Sequence, residues 1–244
     1  MNVKIYPASE RGYANYDWLQ ANYSFSFANY YNPNKINFGA LRVLNDDIIQ
    51  GGAGFGMHPH NNMEIITIPL EGSLKHKDNM SDQWIELKPG EVQVMSAGTG
   101  VVHSEKNGSP ENFLSLFQIW IIPNKENVEP SYGQIEFKKS DRKNELQKLV
   151  VSHDNKEFEE DQSVLKIHQD AIISRIDLEE GNKYTYKAIS GDHGVYLMLI
   201  DGSLKLENEL LSRRDAAGIT NTAEFVIEAK RTSEILFIEV PMQF

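Results

Sequence analysis

The chain has 244 residues, no cysteine, and a net charge of −11 from 24 Lys+Arg against 35 Asp+Glu. That length supports one large domain or two smaller ones with real cores. The lack of cysteine excludes disulfides and thiolate metal sites, and the acidic balance, with no basic run longer than KK or RR, argues against direct binding to DNA or RNA backbones.

The first residues, MNVKIYPASERGYANYDWL, lack the apolar centre of a signal peptide. The longest apolar stretch, FLSLFQIWII, is too short and too interrupted to span a bilayer. A soluble, cytoplasmic protein is expected. Along the chain, helical periodicity is scarce, with weak candidates at YDWLQANYS (16–24) and NELQKLVV (144–151). Strand-length apolar runs dominate instead: EIITIPL (64–70), WIELKPGEVQVM (84–95), FLSLFQIWIIP (113–123), VYLMLIDGSLKL (195–206), AEFVIEA (223–229) and EILFIEVP (234–241). Each ends in turn residues, so an all-β sandwich or barrel follows.

A repeat organises these runs. IPLEGSLKHK at 68–77 matches LIDGSLKLEN at 199–208, and further on LKPGEVQVMSAG (87–98) loosely matches LSRRDAAGITNT (211–222). Two matches in the same order point to two copies of one β-domain, joined within the polar stretch NKENVEPSYG (124–133).

The chemistry-bearing residues fall in two short motifs. GGAGFGMHPH carries His58 and His60, and AGTGVVHSEKN carries His103 and Glu105. On a strand, residues i and i+2 share a face, so each motif presents two potential ligands together. If the two strands face each other across a barrel interior, the four converge as a mixed nitrogen and oxygen set. Such a set suits a divalent first-row metal with open coordination positions. The glycines before each motif fit close backbone passage. Glu64 competes for the carboxylate role, but four extended residues beyond His60 span about 13 Å, so it reaches the site only if the strand breaks at Asn61–Asn62. His153 and His168 stand isolated, His193 reads as a solvated loop residue, and His76 reads as surface, with a place at the mouth of the metal barrel, behind the ligands or lining the pocket, as its alternative.

At this point the chain resembles the pirin family of the cupin superfamily. The resemblance rests on GFGMHPHNNMEIITIPLEGSLKHKD (54–78), LKPGEVQVMSAGTGVVHSE (87–105), LFQIWIIP (116–123) and the upstream YSFSFANYYNPNKINFGALRVLNDD (23–47). It implies a bicupin, two tandem double-stranded β-helix barrels. The N-terminal metal-binding barrel would span 1–123, and a degenerate C-terminal barrel without metal ligands would span 124–244. It implies one mononuclear metal, most often Fe(II), on His58, His60, His103 and Glu105, and it favours Glu105 over Glu64. It also implies a flavonol substrate such as quercetin, opened with dioxygen to release carbon monoxide and a depside. As the sole anionic ligand, Glu105 is the natural base for the flavonol 3-hydroxyl, with aromatic residues such as Phe55 as pocket walls. The expected partners are therefore a flavonol and dioxygen, with no direct nucleic acid or membrane and a monomeric chain. The rival reading is a non-catalytic regulator that binds a partner protein with the metal as a redox switch. A metal-dependent isomerase or another oxygenase stands behind both.

Overall fold

The computed structural model describes residues 1–244, apart from the side chain of Asp82. Strands fill most of the chain, and the helical segments are short 3-10 turns. The two weak helix candidates are strands in fact: 16–24 contains Leu19–Tyr23 and 144–151 runs into Gln147–Ser152. Both segments alternate buried and half-buried or pack at a sheet, and a window of eight or nine residues holds too few turns for propensity to override that pairing. Among the described residues, no helix is long and apolar enough to cross a membrane.

The first half forms two sheets. One has seven strands, running from Ser131–Glu136 through Glu91–Ser96, Glu64–Glu71, Leu114–Ile121, Leu41–Ile49 and Leu19–Tyr23 to Gly12–Asn15. The other has four strands in the order Gly54–His60, Val101–Asn107, Leu74–Asp78, Ser81–Leu87. The second half is one nine-stranded sheet centred on the long antiparallel pair His193–Leu206 and Glu224–Pro241. Each half lends the other a strand. Asn2–Tyr6 pairs with Ala216–Thr220, and Ser131–Glu136 pairs with Glu91–Ser96.

Strand alternation divides the core. On Leu114–Ile121, Phe117, Ile119 and Ile121 join a large apolar layer between the halves, together with Ile173, Met198, Leu236 and Ile238 from the other side. The intervening positions Leu116, Gln118 and Trp120 turn into the first barrel. One strand thus glues the barrels with its odd residues and furnishes the interior with its even ones. Arg214 from the second half adds a polar tie, donating to Asp46 at 2.9 Å, where Arg11 also donates at 3.1 Å.

Each GSLK segment carries its glycine where strand pairing is interrupted. Gly72 separates two strands that lie in different sheets, while Gly202 sits at a register shift within His193–Leu206. Both adopt positive φ, +79° and +104°, and an added Cβ would lie 2.7 Å from Phe113 O in the first case and 2.5 Å from Thr232 O in the second. Only glycine turns the chain here without strain. Gly72→Ala should therefore cost about 1–3 kcal/mol and lower the thermal midpoint by several degrees. An unchanged midpoint in a calorimetric melt would contradict this account of the corner.

Candidate metal centre

The two motif strands do not face each other across the barrel. Gly54–His60 and Val101–Asn107 are hydrogen-bonded neighbours in the four-stranded sheet. His103 lies opposite His58 and Val101 opposite His60. Residues directly opposite in an antiparallel pair share a face, so the histidines converge sideways along one sheet face. The register then shifts. Glu105 stands opposite Phe55 rather than Gly56, which places one extra residue in the Gly54–His60 strand. Gly54 lets the two backbones close up, since a Cβ there would meet Glu105 O at 2.3 Å.

The ring centroids of His58 and His103 are 4.3 Å apart, and His60 lies 4.9 Å from each of the others. The ligating atoms of His58, His60 and His103 lie within 4.8 Å of one another, and Glu105 forms a second such cluster with His103 and His76. His103 is the shared member. His58 Nδ1 is 2.8 Å from its own strand's Gly56 carbonyl, so the ring donates there and turns Nε2 free. Gln118 Nε2 donates to Glu105 Oε2 at 3.1 Å, and Thr67 Oγ1 donates to Gln118 Oε1 at 3.3 Å.

Two buried atoms are left without a partner at this spot, His103 Nε2 and Glu105 Oε1. A buried polar atom with no partner typically costs about 1–3 kcal/mol, and a cation resolves both deficits at once. Burial and the neighbouring histidines depress the pKa of His103 to about 2, and burial with His58 depresses that of His60 to about 4. Both imidazoles are thus neutral at physiological pH, as ligation requires. Burial raises Glu105 to about 7, against the smaller opposing effect of the Gln118 hydrogen bond. A nearby divalent cation would draw it back towards the carboxylate. Unpartnered donors, neutral rings and one carboxylate fit a divalent first-row metal.

The cluster opens into a cavity of about 510 Å³ between the two sheets of the first barrel. Trp18, Tyr23, Phe27, Phe55 and Trp120 form aromatic walls, and Phe55 meets Trp18 edge-on at 5.1 Å. Asn45, Asp47 and Gln118 supply the polar floor from the seven-stranded sheet. Asp47 is buried, with Oδ1 unpartnered. Burial, Asp46 and Glu105 together push its carboxyl up to about 8. A planar aromatic ligand with a few polar groups matches this volume and lining.

Phe55 lines the cavity. The chain does break after His60, with Asn62 at φ +45°, but Glu64 turns away: it is 1% exposed, accepts from Ser96 Oγ at 2.5 Å, and lies outside both clusters. His76 is not on the surface. It is fully buried, 2.9 Å from Asp78 Oδ2. His193 is not solvated either. It is buried between Ser190 Oγ and the Asp170 carbonyl. His153 and His168 are not isolated, since their rings stack at 4.3 Å. Asp47, Asn45 and Gln118 escaped the sequence reading. Their one signal was polar residues inside otherwise apolar strands, LNDDII and LFQIW. The interior of the second barrel is mostly apolar, and its buried Glu239 is already taken, accepting from Tyr186 Oη at 2.8 Å and the Ile189 N–H at 2.6 Å. Tyr186, Phe225, Ile227, Ala229 and Phe237 fill that interior with apolar packing.

A family model described as Pirin matches residues 6–121, and one described as Quercetinase C-terminal cupin domain matches residues 149–240. The chain belongs to the pirin family. Among relatives of this pirin is a protein named quercetin 2,3-dioxygenase from Escherichia coli K12, 39% identical over 239 residues that cover 98% of this chain and 99% of that one. A pirin-like protein from Caulobacter vibrioides is also 39% identical, over 96% of this chain and 97% of its own. The solved structure of the bacterial pirin YhhW from Escherichia coli, in complex with nickel(II), superposes with a TM-score of 0.90 at 36% identity, covering 98% of this pirin and 99% of that chain. The two-domain, all-β cupin architecture is shared.

Proposed function

We propose that this pirin is a quercetin 2,3-dioxygenase-type oxidoreductase, opening flavonols with dioxygen at one Fe(II) held by His58, His60, His103 and Glu105. The observation that carries this reading is the convergence of unpartnered His103 Nε2 and Glu105 Oε1 on an aromatic-walled cavity. The name of the Escherichia coli relative supports the substrate class, and the nickel(II) in the Escherichia coli pirin supports a divalent first-row metal. The catalytic unit in this reading is the barrel of residues 1–123, with 124–244 as its apolar support.

The residues divide the work. Trp18, Phe55 and Trp120 hold the planar flavonol and keep bulk water from it. Glu105 takes the proton of the flavonol 3-hydroxyl. It is the one anionic group among the four proposed ligands, and a bound cation would keep it ionised and able to accept a proton. Gln118 holds Glu105 Oε2 and so aims the carboxylate. Asp47, on the cavity floor, is placed to accept a hydrogen bond from a second flavonol hydroxyl. A ferrous ion bound by His58, His60, His103 and Glu105 would supply Lewis-acidic and redox chemistry beside the flavonol pocket.

The test is elemental analysis followed by aerobic assay with a flavonol panel. Protein produced in iron-rich medium should hold one transition metal per chain and take up oxygen in the presence of quercetin. A second metal mapped to the C-terminal half would overturn the support role of that barrel. Metal-loaded protein inert to every flavonol would sink the oxygenase reading and favour a metal-switched regulator that binds a partner protein.

A further inference from the structure

We propose that Asp78 and His76 are positioning residues that set the tautomer of His103 and thereby present its Nε2 to the metal. The inference rests on the metal-centre reading above and extends it to residues on a third strand. Leu74–Asp78 pairs with Val101–Asn107 on the side away from Gly54–His60, with Asp78 opposite His103 and His76 opposite Glu105. Three adjacent strands therefore carry three i, i+2 pairs on one face: His58 and His60, His103 and Glu105, His76 and Asp78.

The proton positions follow from the partners. Asp78 Oδ1 accepts the backbone N–H groups of Met80 and Ser81 at 2.8 and 2.9 Å, which anchors the carboxylate. Its Oδ2 lies 2.9 Å from His76 Nε2. An ionised carboxylate can only accept, so His76 carries its proton on Nε2. Gln93 Nε2, a donor, stands 3.3 Å from His76 Nδ1, which marks that nitrogen as an acceptor. His103 Nδ1 faces the same lone pair at 3.5 Å, the long end of the hydrogen-bonding range. Two lone pairs facing each other there would repel, so the proton of the neutral His103 ring sits on Nδ1. Its Nε2 is then a free lone pair, and that is the buried atom with no partner.

His58 obtains the same arrangement locally, from Gly56 O. His103 has no such carbonyl, and borrows the instruction from Asp78 through His76. Outer partners of this kind orient a ligand and raise its basicity, and losing one typically costs about 10–100-fold in metal affinity. Asp78→Asn is the sharpest variant. Its amide can donate to His76 Nε2, which moves the His76 proton to Nδ1, against His103 Nδ1–H. His103 is then driven to the tautomer with its proton on Nε2, which blocks ligation.

The experiment combines nitrogen-15 NMR of the histidine rings with zinc(II) titration against a chelating dye. In the metal-free wild type, His76 should carry its proton on Nε2 and His103 on Nδ1. Zinc(II) should shift the His103 Nε2 resonance and leave His76 Nδ1 unmetallated. Asp78→Asn and His76→Phe, with wild-type circular dichroism, should bind zinc(II) about 10–100-fold more weakly. A wild-type His103 protonated on Nε2, zinc(II) bound by His76, or folded variants with unchanged affinity would each overturn the proposal. The wild-type spectra decide it even if a variant fails to fold. A wild type that binds no metal sinks the metal-centre reading instead, and turnover is not read at all.

Discussion

His58→Ala and His103→Ala should each lose the metal, and with it all flavonol turnover, while the chain stays folded. The apolar layer between the halves and the packed interior of the second barrel make no use of the histidines. The site lies on the face of a four-stranded sheet whose strands remain paired by backbone hydrogen bonds. This differs from a small zinc finger, where metal binding supplies the folding free energy itself. For His103→Ala, truncation also removes a buried nitrogen that has no partner in the protein. Metal affinity should fall by more than the ~10–100-fold that loss of an outer partner costs, so protein dialysed at limiting metal should come out nearly metal-free. Circular dichroism should be unchanged, and the thermal midpoint should stay close to that of metal-free wild type. Complete unfolding of the metal-free protein would show the site to be structural.

Glu105→Gln separates ligation from proton transfer. Glutamine keeps the size and an oxygen able to ligate, but takes no proton at neutral pH. Its amide oxygen can still accept from Gln118. Three histidines remain to hold metal, so turnover can be normalised to metal content. We expect metal binding to weaken without being abolished, and the turnover number to fall about a hundredfold or more at matched loading. If oxygen consumption with quercetin is unimpaired in the variant, the base lies elsewhere. The structure then nominates Asp47, which lines the cavity with a free Oδ1, and not Glu64, whose carboxylate is held by Ser96.

The motifs were legible because the i, i+2 spacing of His58-Pro59-His60 and His103-Ser104-Glu105 survives any sheet arrangement: same-face geometry is local. The two GSLK copies were legible because a corner that needs positive φ demands glycine at a fixed place. Which strand lies beside which was not legible, since pairing is a non-local choice. The motif strands turned out to be neighbours, and the extra residue that brings Glu105 opposite Phe55 leaves no mark in composition. His76 lies between Lys75 and Lys77 and so looks solvated, yet alternation sends those lysines to the opposite face of the same strand. Asp47 was hidden for a related reason. Asp46 and Asp47 look like one solvated acidic pair, but Asp46 meets Arg11 and Arg214 whereas Asp47 enters the cavity. The strand exchange between the halves was likewise out of reach, because Asn2–Tyr6 pairs with residues more than two hundred positions away.

The most direct test of the central claim is to measure carbon monoxide released against oxygen consumed by iron-loaded wild-type protein with quercetin. Ring opening at this centre predicts one carbon monoxide formed for each dioxygen taken up, with quercetin lost at the same rate and both signals abolished in His103→Ala. Oxygen uptake without carbon monoxide, or equal release from His103→Ala, would contradict it.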